Sequence, residues 1–235
     1  MIIIIYNKSM ELIQVANYLV GRYLVSDRKK DKMSLLKGDL LASCSVDSLG
    51  KSKTEVVYYD TQDFFFADKG INIYTVQSKT NYELIIRYDS DQVQRIEFLK
   101  NTPNFFKLKI TGKIFNLMTY AEQIDSAIYR VFPEGLHVNI EELLRQSRPQ
   151  VRISKKNEEY RVVNNKGLKT TISFAECTYS NVQNRSTFSQ VNMEVLGEAT
   201  TPKDMFETFL KYIIVDCPQL IRITNNELTL ARKNF

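Results

Sequence analysis

The chain has 235 residues, of which 43% are hydrophobic, enough for one large domain or two small ones with a packed core. Thirteen Tyr and 13 Phe favour strands, while 8 Gly and 5 Pro exclude collagen-like and low-complexity classes. The net charge of +5 is spread among 27 acidic residues, which suits an anionic partner but gives no concentrated basic tract of the kind nucleic-acid binding uses.

Cys44, Cys177 and Cys217 are odd in number and lack CxxC spacing, so reduced thiols in a cytoplasmic protein are expected. The opening run Ile2 to Ile5 meets Asn7, Lys8 and Glu11 at once. It is too short for a signal-peptide core or a membrane span, and no membrane partner is expected.

In chain order, Ile2 to Tyr6 reads as a strand, and Ser9 caps a predicted helix with Met10, Ile13, Ala16, Val20 and Leu24 on one face. Asp27 to Lys32 reads as a solvated loop or helix end. From Thr54 the period changes to two, with strands predicted near 54–59, 71–77, 82–88, 92–99 and 104–110. Thr119 with Glu122 forms a capping box for a helix through Val131, and Asn139 with Glu142 opens a short one to Gln146. Strands return near 150–156, 159–164, 168–175 and 187–196, with turns at Lys156-Asn157 and at Asn164 to Gly167. Thr201-Pro202 starts a helix to about 215, and 221–230 reads as a closing hairpin or two short strands. The expected architecture is α+β: one domain over 1–235, with an antiparallel closed β-barrel of about eight strands, flanking helices and a helical insert near 119–147.

The order Tyr58-Tyr59-Asp60-Thr61, Gly70 to Tyr74, Glu83 to Arg87 and Arg95 to Leu99 resembles the CYTH, or triphosphate tunnel, family. That resemblance implies a barrel whose wall binds a triphosphate with Arg and Lys and holds Mg²⁺ or Mn²⁺ with carboxylates, the metal orienting attack by water on phosphorus. The family's phosphate-binding positions map to Lys8, Arg87, Arg95, Arg152, Lys156 (or Lys155) and Arg161, and its remaining metal positions to Glu97, Glu176 and Glu194. The sequence departs from the pattern where it matters. The first strand, expected to read ExExK, is Ile2 to Tyr6 with only Lys8 left, Leu99 replaces a glutamate, and Gln190 and Asn192 stand where acids alternate. A hard cation requires converging oxygen anions, which Ile and amide side chains cannot supply.

Three readings follow. The first is a degenerate, non-catalytic domain, with no cofactor, that binds a phosphorylated small molecule or polyphosphate in a residual basic tunnel, or binds a protein partner. The second is an active metal-dependent tri- or polyphosphate phosphohydrolase using Mg²⁺ or Mn²⁺. The third is a structural or assembly subunit whose tunnel is filled by its own side chains. The single histidine, His137, sits by a predicted loop and suits a surface role. Phe64-Phe65-Phe66 and Phe105-Phe106 break strand alternation, as core or barrel-end plugs do more often than base-stacking platforms.

Overall fold

A computed structural model describes residues 4–7, 10–15, 19–78, 82–88, 105–110, 115–131, 136–198, 200–223 and 227–235. Its centre is a single antiparallel sheet of eleven strands: β1 (Ile4–Asn7), β2 (Met10–Val15), β3 (Leu19–Val25), β4 (Ser45–Asp60), β5 (Ile71–Gln77), β6 (Tyr82–Tyr88), β7 (Phe105–Ile110), β8 (Arg148–Val163), β9 (Lys169–Asn181), β10 (Thr187–Gly197) and β11 (Ile221–Ile223). They lie in the order β1-β2-β7-β6-β5-β4-β8-β9-β10-β3-β11. Among the described residues the end strands β1 and β11 do not pair with each other, so the sheet is open rather than the closed barrel of about eight strands expected from the sequence.

Among the described residues seven α-helices accompany it: α1 (Arg28–Lys37), α2 (Asp39–Ala42), α3 (Phe65–Asp68), α4 (Ala121–Val131), α5 (Ile140–Gln146), α6 (Lys203–Asp216) and α7 (Glu227–Asn234). None of the described helices is long and apolar enough to cross a membrane.

Strand parity sorts the core into layers. On the outer face, Ile73, Leu84, Ile86, Phe106 and Leu108 of β5 to β7 pack against Ile124 and Ile128 of α4 and Leu144 of α5. Farther along the same face, Ile172, Phe174, Met193, Val195 and Tyr23 pack against Phe206, Leu210 and Ile213 of α6 and Leu35 of α1. Gly21 permits this approach, because a Cβ there would lie 2.6 Å from a methyl of Leu210. The inner face has a different cover: Val56, Tyr58, Tyr74, Ile85, Ile153, Cys177 and Tyr179 enclose Leu228 and Ala231 of α7.

Several expectations are corrected. The predicted helix over Met10 to Leu24 is instead β2 and the greater part of β3, with Ser9 and Ala16 outside the described residues. Hydrophobic residues at three- and four-residue intervals also fit a strand when partners are present, and β3 forms seven residue pairs with β10 and three with β11. Asp27 to Lys32 is the capped start of α1, with the Asp27 side chain accepting from the Lys30 amide.

The strand expected at 54–59 begins at Ser45, and 150–156 with 159–164 form one strand. Lys156-Asn157 is not a turn, because it is laddered to Lys53 and Ser52 on one side and to Glu176 and Ala175 on the other. The closing hairpin is β11 followed by α7. Thr119 does not cap a helix: Asn116 caps a 3₁₀ turn over Leu117–Tyr120 that runs into α4. Residues 92–99, with Arg95 and Glu97, lie outside the described residues.

The Asp60-Thr61 turn is held by one buried carboxylate. Asp60 accepts hydrogen bonds from the amides of Thr61 (2.8 Å), Phe66 (3.0 Å) and Ala67 (2.9 Å), which ties the end of β4 to the start of α3. Burial pushes its carboxyl above the ordinary value, against the pull of these three amides. Phe66 is anchored by this turn in the outer core, whereas Phe64, at φ 60°, packs against the inner cluster. Asp60→Ala orphans three buried amides and is expected to lower the unfolding free energy by about 3 kcal/mol, read from urea denaturation; a loss below about 1 kcal/mol means that water replaces the carboxylate.

Candidate functional site

The inner-face residues follow from the ladder. Tyr58 opposes Tyr74 and Val151, Thr54 opposes Lys155, Lys155 opposes Cys177, and Cys177 opposes Gln190. Continuing with the same parity, Asn192 and Glu194 of β10, Arg22 of β3, and Asn72 and Arg87 of β5 and β6 all point to the side occupied by α7.

Ion pairs on this face join Arg22 to Glu194, Lys155 to Glu227 and, on β7 and β6, Lys107 to Glu83 at 2.6 Å. Arg22 Nε lies 2.8 Å from Glu194 Oε1, and Lys155 Nζ lies 2.6 Å from Glu227 Oε1 at the start of α7. Tyr58 donates its hydroxyl to Glu227 Oε2 at 3.3 Å. Burial drives the Glu227 carboxyl upward, but the charges of Lys155 and Arg22, the Lys155 hydrogen bond and the charge of Arg87 outweigh it and hold the carboxyl below its ordinary value. The same attraction, from Glu227 first and then Glu194, raises Lys155 although burial opposes it. Among the described residues, cations from β3, β6 and β8 thus act on the buried Glu227 carboxylate, and Arg22 is also paired with Glu194.

The amides on β10 serve hydrogen bonding instead of charge. Asn192 Nδ2 donates to the Tyr179 hydroxyl oxygen at 2.8 Å, and Gln190 Nε2 donates to Asn192 Oδ1 at 2.7 Å. Tyr179 stacks on Phe188 with ring centroids 4.5 Å apart. A cleft of about 700 Å³ reaches Thr54, Lys155, Cys177 and Gln190 of the inner row, together with Lys156 and Glu176 beside it.

The residues named from the sequence separate on this geometry. Arg87 is inward and buried, and Glu194 is inward and paired with Arg22. Arg152, Lys156 and Glu176 have the opposite parity: Arg152 pairs with Glu55 at 3.5 Å, and Glu176 with Arg28 at 2.6 Å. Arg161 shares the parity of Lys155 but lies about 20 Å along β8, where it meets Glu198 at 2.9 Å. Lys8, Arg95 and Glu97 lie outside the described residues. Arg22 and Glu227 had no signal in the sequence reading, since one was assigned to a helix and the other to a hairpin. Lys155 stood only as the alternative to Lys156, and parity selects it.

The family resemblance seen in the sequence implies a divalent metal, and the described donors do not suit one. Glu194 and Glu227 are each held by a cation, Glu176 is on the other face, and the intervening Gln190 and Asn192 are neutral. Among the described residues no three His, Cys, Asp or Glu side chains converge on a metal position.

The lowered pKa of Glu227 gives stability that is full above the ordinary carboxylate value of about 4.3 and is lost as pH falls through its folded value. Glu227→Gln is expected to lower Tm at neutral pH, with a cost of about 3 kcal/mol for leaving Lys155 with one fewer buried partner. The gap to wild type should close as pH drops below about 4, which thermal melts at a series of pH values would show. A gap that stays constant with pH would mean that the charge of Glu227 contributes nothing to folding.

Comparison with known proteins finds likeness in structure alone. No protein-family model matches the sequence, and no curated protein matches it. Among solved structures, a candidate adenylate cyclase from Bacillus halodurans superimposes with a TM-score of 0.54 at 10% identity, covering 91% of this chain and 96% of that one. Protein PH1819 from Pyrococcus horikoshii gives a TM-score of 0.50 at 11% identity, covering 93% and 100%. HpAC1 from Hippeastrum, a candidate adenylyl cyclase described as having a dominant triphosphatase activity, gives 0.48 at 11% identity, covering 93% and 96%. This protein has a CYTH-like fold, of the triphosphate-tunnel type.

Proposed function

We propose that this protein is a non-catalytic CYTH-like domain that binds a phosphorylated anion on the inner face of its sheet. The observation that carries the reading is a set of basic side chains on the inner face, from three strands far apart in sequence: Lys155 at 2.6 Å from Glu227, Arg22 at 2.8 Å from Glu194, and the buried Arg87. Guanidinium groups supply planar, paired donors for phosphate oxygens, and the ammonium of Lys155 supplies a point charge. The cleft that reaches Lys155 gives a path from solvent. Burial strengthens each attraction relative to a surface site, which favours a compact, highly charged ligand.

Hydrolysis at this site would require a metal or a general base to activate water. The inner-face carboxylates are engaged by cations, and burial pushes Cys177 up to about 12, so its thiol is a poor base or nucleophile at neutral pH. The outward-facing Arg152 and Lys156 and the distant Arg161 pair with Glu55, Glu176 and Glu198 and lie apart from this cluster.

Isothermal titration with tripolyphosphate, with and without Mg²⁺ and with phosphate release followed in parallel, tests the proposal. Saturable binding that persists without Mg²⁺, with no release, is expected. Arg87→Met should weaken it about tenfold or more, the scale of one lost charge-assisted contact. Metal-dependent release of phosphate would overturn the non-catalytic reading, and absence of binding would overturn the anion site.

A further inference from the structure

An anion arriving at this cluster finds it taken. Glu227 is buried, its two oxygens meet Lys155 Nζ at 2.6 Å and the Tyr58 hydroxyl at 3.3 Å, and Arg22 and Arg87 act on the same carboxylate. The carboxylate is therefore placed as a ligand's phosphoryl group would be, except that it belongs to the chain itself.

The element that presents it is a short helix packed on the sheet. Helix α7 has eight residues and joins no strand ladder. Its apolar anchorage is Leu228 and Ala231, with Leu230 and Phe235 partly buried against the same cluster. Beyond Glu227, its polar contacts include Arg232 to Asp68 at 2.7 Å and the same guanidinium over the Phe64 ring at 4.3 Å. A helix of this length is marginal once its packing is removed, so it leaves its seat at lower cost than any strand of the sheet.

We propose that Glu227 is the resting occupant of the inner-face anion site, and that a polyphosphate-like ligand binds by exchange, displacing Glu227 and α7 from Arg22, Arg87 and Lys155. The inference rests on the anion-binding reading above and adds to it a control built into the chain. A singly charged anion only replaces the charge of Glu227 and forfeits the packing of Leu228 and Ala231, so it does not displace the helix. A ligand with several adjacent phosphoryl oxygens engages all three cations at once and does. Apparent affinity is then the intrinsic affinity reduced by the small fraction of molecules in which α7 is undocked.

Cys177 reports the exchange. It is buried in the cluster that includes Leu228 and Ala231 and lies next to Lys155 on the ladder, whereas Cys217 belongs to the separate core beneath α6 and Cys44 packs against that core. The experiment measures iodoacetamide labelling of each cysteine by peptide mass mapping at constant ionic strength, with tripolyphosphate or orthophosphate added. Titration of the Glu227→Gln and Leu228→Ala variants accompanies it, and circular dichroism checks that both variants are folded. Leu228→Ala changes no charge, so tighter binding by it reports release of the helix and not altered electrostatics.

Tripolyphosphate, but not orthophosphate, is expected to speed labelling at Cys177 about tenfold while Cys44 and Cys217 are unaffected, and both variants are expected to bind tripolyphosphate about fivefold tighter than wild type. Tight binding with Cys177 still protected, and no gain in either variant, would overturn the exchange and leave α7 a fixed wall of a working anion site. Failure of wild type and both variants alike to bind would overturn the exchange together with the anion-binding reading itself.

Discussion

The ion pair between Lys155 and Glu227 joins the middle of the sheet to the last helix, and the arrangement of the inner face depends on it. Lys155 is near the centre of β8, the strand with a partner of comparable length on each side, so its direction is set by continuous ladders to β4 and β9. Those ladders leave it no freedom to turn to the other face without shifting every neighbour. Glu227 reaches it only because Leu228 and Ala231 seat α7 in the apolar ring made by Tyr58, Tyr74, Ile153, Cys177 and Tyr179. Apolar packing places the helix, and the charge pair selects its register.

A buried pair of this kind adds little net stability compared with a well-packed apolar alternative, since both charges lose their hydration. Buried cations need anions close by, and the chain supplies them here through Glu227 for Lys155 and Glu194 for Arg22. The outer face, by contrast, is sealed by the α4–α5 and α1–α6 layers and carries the bulk of the apolar core.

The inner face also shows what this chain places where the family resemblance leads to an expectation of acids. Gln190 and Asn192, which interrupt the acid pattern expected of the family, are connected to each other and to Tyr179 by hydrogen bonds. Stacking of Tyr58 on Tyr74 and of Tyr179 on Phe188 fills space between the strands and lines the seat of α7. Satisfied amides and stacked rings make this part of the wall structural.

The sequence by itself determined the strands whose local pattern and tertiary partners agree. Ile71–Gln77 and Tyr82–Tyr88 have the expected limits, the turn at Asn164 to Gly167 joins β8 to β9, and helices occur where Asn139 and Pro202 suggest them. It also indicated the fold type, through Asp60 and the strands around it, and the inward placement of Arg87 and Glu194. Tertiary structure alone decided the rest. Met10 to Leu24 has spacing compatible with helix and strand, and only pairing with β10 makes Arg22 a sheet residue beside Glu194. Lys155 and Lys156 differ by one position, which parity turns into opposite faces. Glu227 lies in a segment whose short alternating run reads as strand, yet it is helical because docking on the inner face buries one side of it. In each case the deciding contact is remote in the chain, and a local pattern holds no information about a partner that only folding supplies.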